Sequence, residues 1–223
     1  MKKIILFLVL AISCSSFAYS QDKEMRKKDL LNVIKTRTSV RTFSKKVAEP
    51  KRYVDELLKA AMSAPSAMNK QPWEFLVITD KEMKMTLAKE FKNASYIENA
   101  SFAIIVCGNM KAAIEGEGRE FWVQDCSAAT ENILLAAHSL GLGAVWCGIY
   151  PDKDRTLKLQ EFLALPEFIV PLNIIPIGFP EGEQKIKEKW NPKKVHWEKF
   201  GNNKIVENKE KQGPKNSLQI KAK

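Results

Sequence analysis

Ser63-Ala64-Pro65-Ser66-Ala67-Met68-Asn69-Lys70-Gln71-Pro72-Trp73 is polar and punctuated by proline, and it separates a helix-like pattern from a strand-like run. A plain connector needs turn residues, but not an Asn and a Gln two positions apart. That pair offers amide donors and acceptors suited to a planar heterocycle. Two readings are open on these residues alone: a binding loop, or a helix stop in which Ser63, Ser66 and Asn69 satisfy the last carbonyls and the first strand amides.

Helical spacing precedes the loop. Val54, Leu57, Leu58 and Ala61 form one apolar face behind Pro50, which suits a first helical position. Further upstream, Leu30, Leu31 and Ile34 predict a helix from Met25 that ends near Thr36, and Arg37 to Phe43 reads as extended. After the loop, Trp73 to Thr79 is a predicted strand, and Asp80 caps a helix running to about Phe91. Phe102 to Cys107 is a continuously apolar strand, as expected of a sheet covered on both faces.

The longest helical pattern spans Arg119 to Leu140, with an apolar side rich in small residues that suits a bundle centre or a subunit interface. Predicted next are a strand over Ala144 to Tyr150, a helix from Asp152 to Leu163, and a strand over Leu172 to Gly178 broken by Pro176. Four strands with interspersed helices give an α/β or α+β domain.

The 223 residues, 45% hydrophobic and 28% charged, suit one well-buried domain. Residues 1–20 differ in kind. Lys2 and Lys3 precede an apolar run from Ile4 to Ile12 and then small residues up to Ser20, the pattern of a secretory signal peptide. Ala11-Ile12-Ser13-Cys14 also has features of a lipoprotein signal, in which Cys14 would be lipidated and tie the chain to a membrane. The expectation is an exported protein, periplasmic, with a folded domain over 21–200 and a basic tail over 201–223.

The net charge of +10 is concentrated at the ends. Lys2 and Lys3, together with an excess of four positive charges after Phe200, leave +4 on residues 21–200. No basic stripe interleaved with aromatics is visible, so nucleic acid is not an expected partner. Cys107, Cys126 and Cys147 remain after cleavage at Ser20 and read as buried free thiols; no spacing resembles a metal site.

No nucleophile elbow, phosphate-binding P-loop or dinucleotide fingerprint is present, and Gly141-Leu142-Gly143 follows a helix instead of a strand. So few acids, bases and nucleophiles imply that a cofactor brings the chemistry. Arg37, Ser39 and Arg41 alternate along an extended run and project to one side, a grip suited to phosphate; a polar strand face is the alternative. Lys187 and Lys189 repeat that two-residue spacing in a lysine-rich arm.

Several ordered motifs now point to one family. Arg-Thr-Ser-Val-Arg-Thr-Phe at 37–43 resembles the N-terminal signature of the FMN-dependent nitroreductase family, and Ala-Pro-Ser-Ala-Met-Asn-Lys-Gln-Pro-Trp at 64–73 resembles its flavin loop. The correspondence continues through Gly-Leu-Gly-Ala-Val-Trp-Cys-Gly at 141–148, Ile-Pro-Ile-Gly-Phe-Pro at 175–180 and Val-His-Trp-Glu at 195–198.

The resemblance implies an α+β fold with a central mixed, mainly antiparallel sheet flanked by helices, and an intertwined homodimer binding FMN at its interface. Arg37, Thr38, Ser39 and Arg41 match positions around the FMN phosphate and ribityl chain, and Lys187 and Lys189 match further phosphate contacts. Asn69 and Gln71 match positions near the flavin, while Pro65, Ser66 and Ala67 match a segment approaching the cofactor of the partner subunit. Cys147, Gly148 and Ile149 match the stretch whose backbone amide faces flavin N5. Many relatives carry a Glu-Gly step where this chain reads Trp146-Cys147-Gly148-Ile149. The implied activity is ping-pong hydride transfer from NAD(P)H through N5 to a nitroaromatic, quinone or similar small acceptor. Export leaves other donors, reductive dehalogenation or a non-catalytic flavin-binding module as alternatives. Phe121 and Trp122 are candidates for the substrate opening or for the core.

Overall fold

The computed structural model describes residues 30–203. The expected signal peptide, Cys14, and the tail from residue 204 onward lie outside the described residues. No described helix is long and apolar enough to cross a membrane.

Helix α1 covers 30–36. It is followed by α2 (Pro50–Met62), β1 (Trp73–Ile78), α3 (Lys81–Glu90), β2 (Phe102–Asn109), α4 (Phe121–Ser139), β3 (Gly143–Ala144), β4 (Cys147–Gly148), α5 (Lys153–Phe162) and β5 (Ile169–Gly178). The caps are local and legible. Asp80 Oδ1 accepts from Met83 N–H at 2.8 Å at the start of α3, and Asp152 Oδ1 accepts from Arg155 N–H at 3.0 Å at the start of α5. In α2, Tyr53, Leu57 and Ala61 recur every four residues and are all buried, so this helix turns a single face inward.

The sheet has the order β1-β2-β5-β3, with β4 also on β5, and every ladder is antiparallel. Along β2, Phe102, Ile104 and Val106 enter a core with α2 and α4, while Ala103, Ile105 and Cys107 enter another with α3 and α5. Helices on both faces explain why β2 is apolar throughout instead of alternating.

Two expectations about strands are corrected. The strand expected over Ala144 to Tyr150 is two short pieces, β3 and β4, separated by Val145 and Trp146. Pro176 does not end β5, which runs from Ile169 through both Pro171 and Pro176 to Gly178. Each proline sits where pairing is already interrupted. Pro176 falls in the gap between the residues that pair with β4 and those that pair with β3, and Pro171 lies beside a bulge opposite Val106 and Cys107. The bulge also lets consecutive residues, Leu172 and Asn173, both meet the α4 side: Leu172 joins that core and Asn173 Nδ2 donates to Thr130 Oγ1 of α4 at 2.9 Å.

Residues 37–44 run as a strap along the edge of the sheet. Ser39 bridges Ala144 in parallel, Val40 N–H donates to Ala144 O at 3.0 Å, and Phe43 bridges Pro180. Val40 and Phe43 are buried, Arg41 and Thr42 are exposed, and Arg37 to Ser39 are half-buried, so the strap does not alternate strictly between inside and outside. The described residues divide into two compact units, the first running to Ile186 and the second opening at Lys187. Within the second, Asn203 Nδ2 donates to the carbonyls of Lys193 and Val195, and the His196 ring lies 4.4 Å from that of Phe200.

Close approach of the strap to β3 requires glycine at 143. A methyl group built there would lie 2.7 Å from Val40 Cβ. Gly143→Ala should therefore destabilise the protein by about 1–3 kcal/mol in urea unfolding, through overpacking. Adding Val40→Ala should recover part of that loss; a double variant less stable than the additive sum of the singles would show that the strap does not press on Gly143.

Candidate functional site

The strap presents its polar residues in different directions. Arg37 is 17% exposed and its Nε meets Glu131 Oε1 of α4 at 3.1 Å. Beside it, Thr36 Oγ1 and His138 Nε2 share a hydrogen bond of 2.9 Å. Arg41 reaches the other way, its guanidinium 5.8 Å from the centre of the Tyr96 ring. Thr38 and Ser39 are half-buried between them. The expectation that Arg37, Ser39 and Arg41 project to one side is therefore corrected: Arg37 is drawn to α4 by Glu131, whereas Arg41 stays at the surface.

In the 63–73 loop the helix-stop reading holds in part. Ser63 does stop α2, its hydroxyl donating to Lys59 O at 2.7 Å. Beyond it, Ala67–Asn69 forms one 3-10 turn, and Met68, Asn69 and Gln71 all have positive φ, at 51°, 54° and 49°. Asn tolerates that region, but Met and Gln are there at a cost of roughly 1–2 kcal/mol each. The strained backbone brings the two amides together, Gln71 Nε2 donating to Asn69 Oδ1 at 2.8 Å. Met68, at the tip, is 80% exposed. Ser66 Oγ accepts from Gln71 N–H at 2.9 Å, so Ser66 shapes the loop from within.

The third segment is β4. Ile149 N–H donates to Leu172 O at 3.0 Å, while Cys147 faces Ile174 and Gly148 faces Asn173. Antiparallel partners alternate between pairs that exchange N–H···O bonds and pairs that do not. Cys147 and Ile149 therefore turn their amides toward β5, and Gly148 turns its peptide groups away. The carbonyl confirms the direction: Gly148 O accepts from Asn93 Nδ2 at 2.7 Å, off the sheet. Among the described residues, none apart from Gly148 itself and its chain neighbours has an atom within 4 Å of where a Cβ on Gly148 would be.

Two residues of this region escape a sequence reading. Asn93 lies in a 3-10 turn, Lys92–Asn99, that no periodicity announces. Asp125 did leave a signal, because it is a carboxylate among Trp122, Cys126 and Ala129 on the apolar side of α4; it is buried and its Oδ1 accepts from Ala67 N–H at 2.8 Å. Trp122 is a core residue, its ring 4.9 Å from that of Tyr150, whereas Phe121 is half-exposed. Lys187 and Lys189 are exposed and belong to the second unit.

The three thiols and the His138 ring are shifted toward their neutral forms. Burial pushes the Cys107 and Cys147 thiols up to about 12 and Cys126 in the same direction. All three are free and buried, as the sequence led one to expect. His138 is lowered, first by burial and then by the Arg37 charge.

An antiparallel sheet between two helical layers, with an edge strap, a strained amide loop and an outward-facing glycine amide, defines an α+β protein whose candidate site lies on its polar segments. The sequence profile of the nitroreductase family matches residues 34–96 and 86–179. A protein of Archaeoglobus fulgidus, provisionally named NADH dehydrogenase/NAD(P)H nitroreductase, is 43% identical over 175 residues, 77% of this chain and 99% of the relative. A crystal structure from Bacteroides thetaiotaomicron with the same provisional name is 42% identical, with a TM-score of 0.72 over 77% of this chain and 98% of that one. An FMN-dependent nitroreductase from Clostridium difficile aligns at a TM-score of 0.69 and 30% identity, covering 76% of this chain and 99% of its own. The chain belongs to the nitroreductase family.

His138 gives the region a pH dependence. Its folded-state pKa lies below the unfolded value, so acidification protonates the unfolded chain first and stability falls as pH drops from about 6.5 toward the folded pKa. Thermal unfolding should show a falling midpoint between pH 7 and pH 5, and His138→Gln should flatten that slope.

Proposed function

We propose that this protein is an FMN-dependent NAD(P)H oxidoreductase that passes reducing equivalents to a small acceptor of the nitroaromatic or quinone type. The observation that carries the reading is Gly148. Its φ is not positive and no side chain crowds it, so neither backbone geometry nor packing within this chain demands glycine there. A flat group lying against that backbone would demand it, and the amide that faces outward is the donor such a group would meet.

The remaining residues fit FMN as well. Arg41 and Ser39 offer charge and hydroxyl to a phosphate, and the Asn69–Gln71 pair offers the edge donors and acceptors that an isoalloxazine ring needs. When bound, FMN supplies hydride acceptance from a nicotinamide at its N5 and onward transfer in a ping-pong cycle. The chain's part is orientation and positive charge.

A homodimer fits the surface. An apolar groove of about 490 Å³ between α1, α2 and α4 is lined by Leu30, Val33, Ala60, Leu135 and Ala136, and a second copy is its proposed occupant. Lys2, Lys3 and the following apolar run support export, and the familiar features of a lipoprotein signal around Cys14 would add an anchor.

Purified protein should be yellow and should bleach anaerobically with NADH or NADPH; colourless protein that refuses added FMN would overturn the reading. Gly148→Ala should fold with an unchanged melting point when stripped of FMN, yet bind it about tenfold more weakly or accept hydride more slowly. Asn69→Ala should likewise lower FMN retention, measured by flavin absorbance after desalting.

A further inference from the structure

We infer that Asp125 is a positioning residue for the flavin loop, holding the Asn69–Gln71 amide pair in place from beneath; this rests on the FMN reading of the site. Asp125 is 6% exposed and lies on α4, whose other buried residues are apolar apart from Thr130. A buried carboxylate is costly unless hydrogen-bonded, and the bond it makes is to a backbone amide of a distant loop, Ala67 N–H at 2.8 Å.

The loop cannot supply that bond itself. Ala67 opens the 3-10 turn, and Ser66 before it gives no side-chain cap, because its hydroxyl is taken by Gln71 N–H. The other hydrogen bonds of residues 66–71 are internal: Asn69 N–H to Ser66 O, Lys70 N–H to Ala67 O, and Gln71 Nε2 to Asn69 Oδ1. Among the described residues, Ala67 to Asp125 is the one hydrogen bond that ties this closed set to the body of the protein. The exit is fixed separately, where Asn109 N–H donates to Pro72 O at 2.6 Å.

Three positive-φ residues follow the anchor, and a strained conformation persists only where its surroundings hold it. With Asp125 removed, the 66–71 set keeps its internal bonds but loses its fixed position. The amides of Asn69 and Gln71 then no longer meet a ring at a set distance, and affinity falls although neither residue has changed.

The test uses three variants of the full chain. Asp125→Ala removes the acceptor, and Ala67→Pro removes the donor at a position where the extended Ser66 tolerates a following proline. Asp125→Asn keeps an acceptor oxygen without the charge. Hydrogen exchange on FMN-free protein should show the Ala67 amide protected in the native chain and in Asp125→Asn, and exposed in Asp125→Ala, with β2 amides still protected in all as the check on folding. FMN titration followed by fluorescence quenching should give about tenfold weaker binding for Asp125→Ala and Ala67→Pro, and near-native binding for Asp125→Asn. Native affinity in Asp125→Ala, or an Ala67 amide that stays protected there, would overturn the inference. So would an Asp125→Asn variant as impaired as Asp125→Ala, which would assign the effect to charge. Native protein that takes up no FMN would instead overturn the cofactor reading and with it the loop's role, while exchange at Ala67 would still decide whether Asp125 is the anchor.

Discussion

Helix α4 must satisfy four polar side chains within two turns, and each one does so by gripping a different part of the chain. Asp125 holds the 63–73 loop through Ala67, Thr130 accepts from Asn173 of β5, Glu131 pairs with Arg37 of the strap, and Asn132 Nδ2 donates to Ala60 O of α2 at 2.9 Å. Polar groups sunk toward a core are retained where they are bonded, so these contacts set position as well as contribute stability. The first and last of the four span about 10 Å of helix rise. The loop and the strap, two of the three segments that make the candidate site, are thereby referred to one rigid body.

What α4 does for the loop and the strap, β5 does for Gly148. β5 is bonded to β2 on one edge and to β3 and β4 on the other, so the pairing phase of β4 is not free to slip. One step of slippage would turn the Gly148 amide into the sheet and aim Cys147 or Ile149 outward. Asn93 opposes that from the outer side by holding Gly148 O. The bulge near Leu172 has a polar consequence, placing Asn173 wholly inside with its Oδ1 unpaired. An unpaired acceptor costs about 1–3 kcal/mol.

Much of this was legible in advance where a local rule decides. Helix caps at Asp80 and Asp152, the one-sided face of α2 and the unbroken apolar β2 follow from spacing and side-chain chemistry. Pro176 misled because proline's effect depends on whether a neighbouring strand needs its amide, and that is a tertiary fact. The division of β3 from β4 was hidden for a related reason: Ala144 to Tyr150 is apolar throughout like a buried strand, yet Val145 and Trp146 in its middle have no partner on β5. At the site, the residue types of the loop and strap were readable, but their engagement was not. No spacing could say that Arg37 would be claimed by Glu131 while Arg41 stayed at the surface, nor that Asn93 would reach Gly148.

The groups assembled around the candidate site are mostly donors, and a thiol, a phenol and an imidazole near them are all shifted toward their neutral forms. Burial holds the Cys147 thiol at about 12, Tyr150 is raised by burial and by Glu120, and His138 is lowered toward its neutral form. What remains is a backbone amide, two side-chain amides, a hydroxyl and a guanidinium, which bind and orient but do not shuttle protons. Such a set suits a reaction in which the electron-carrying group brings its own reactivity and the protein fixes its place. It also separates two properties that an acid–base site couples. Because no side chain in this set must match its pKa to a substrate, groups that would hold the cofactor and groups that would admit an acceptor are free to vary separately.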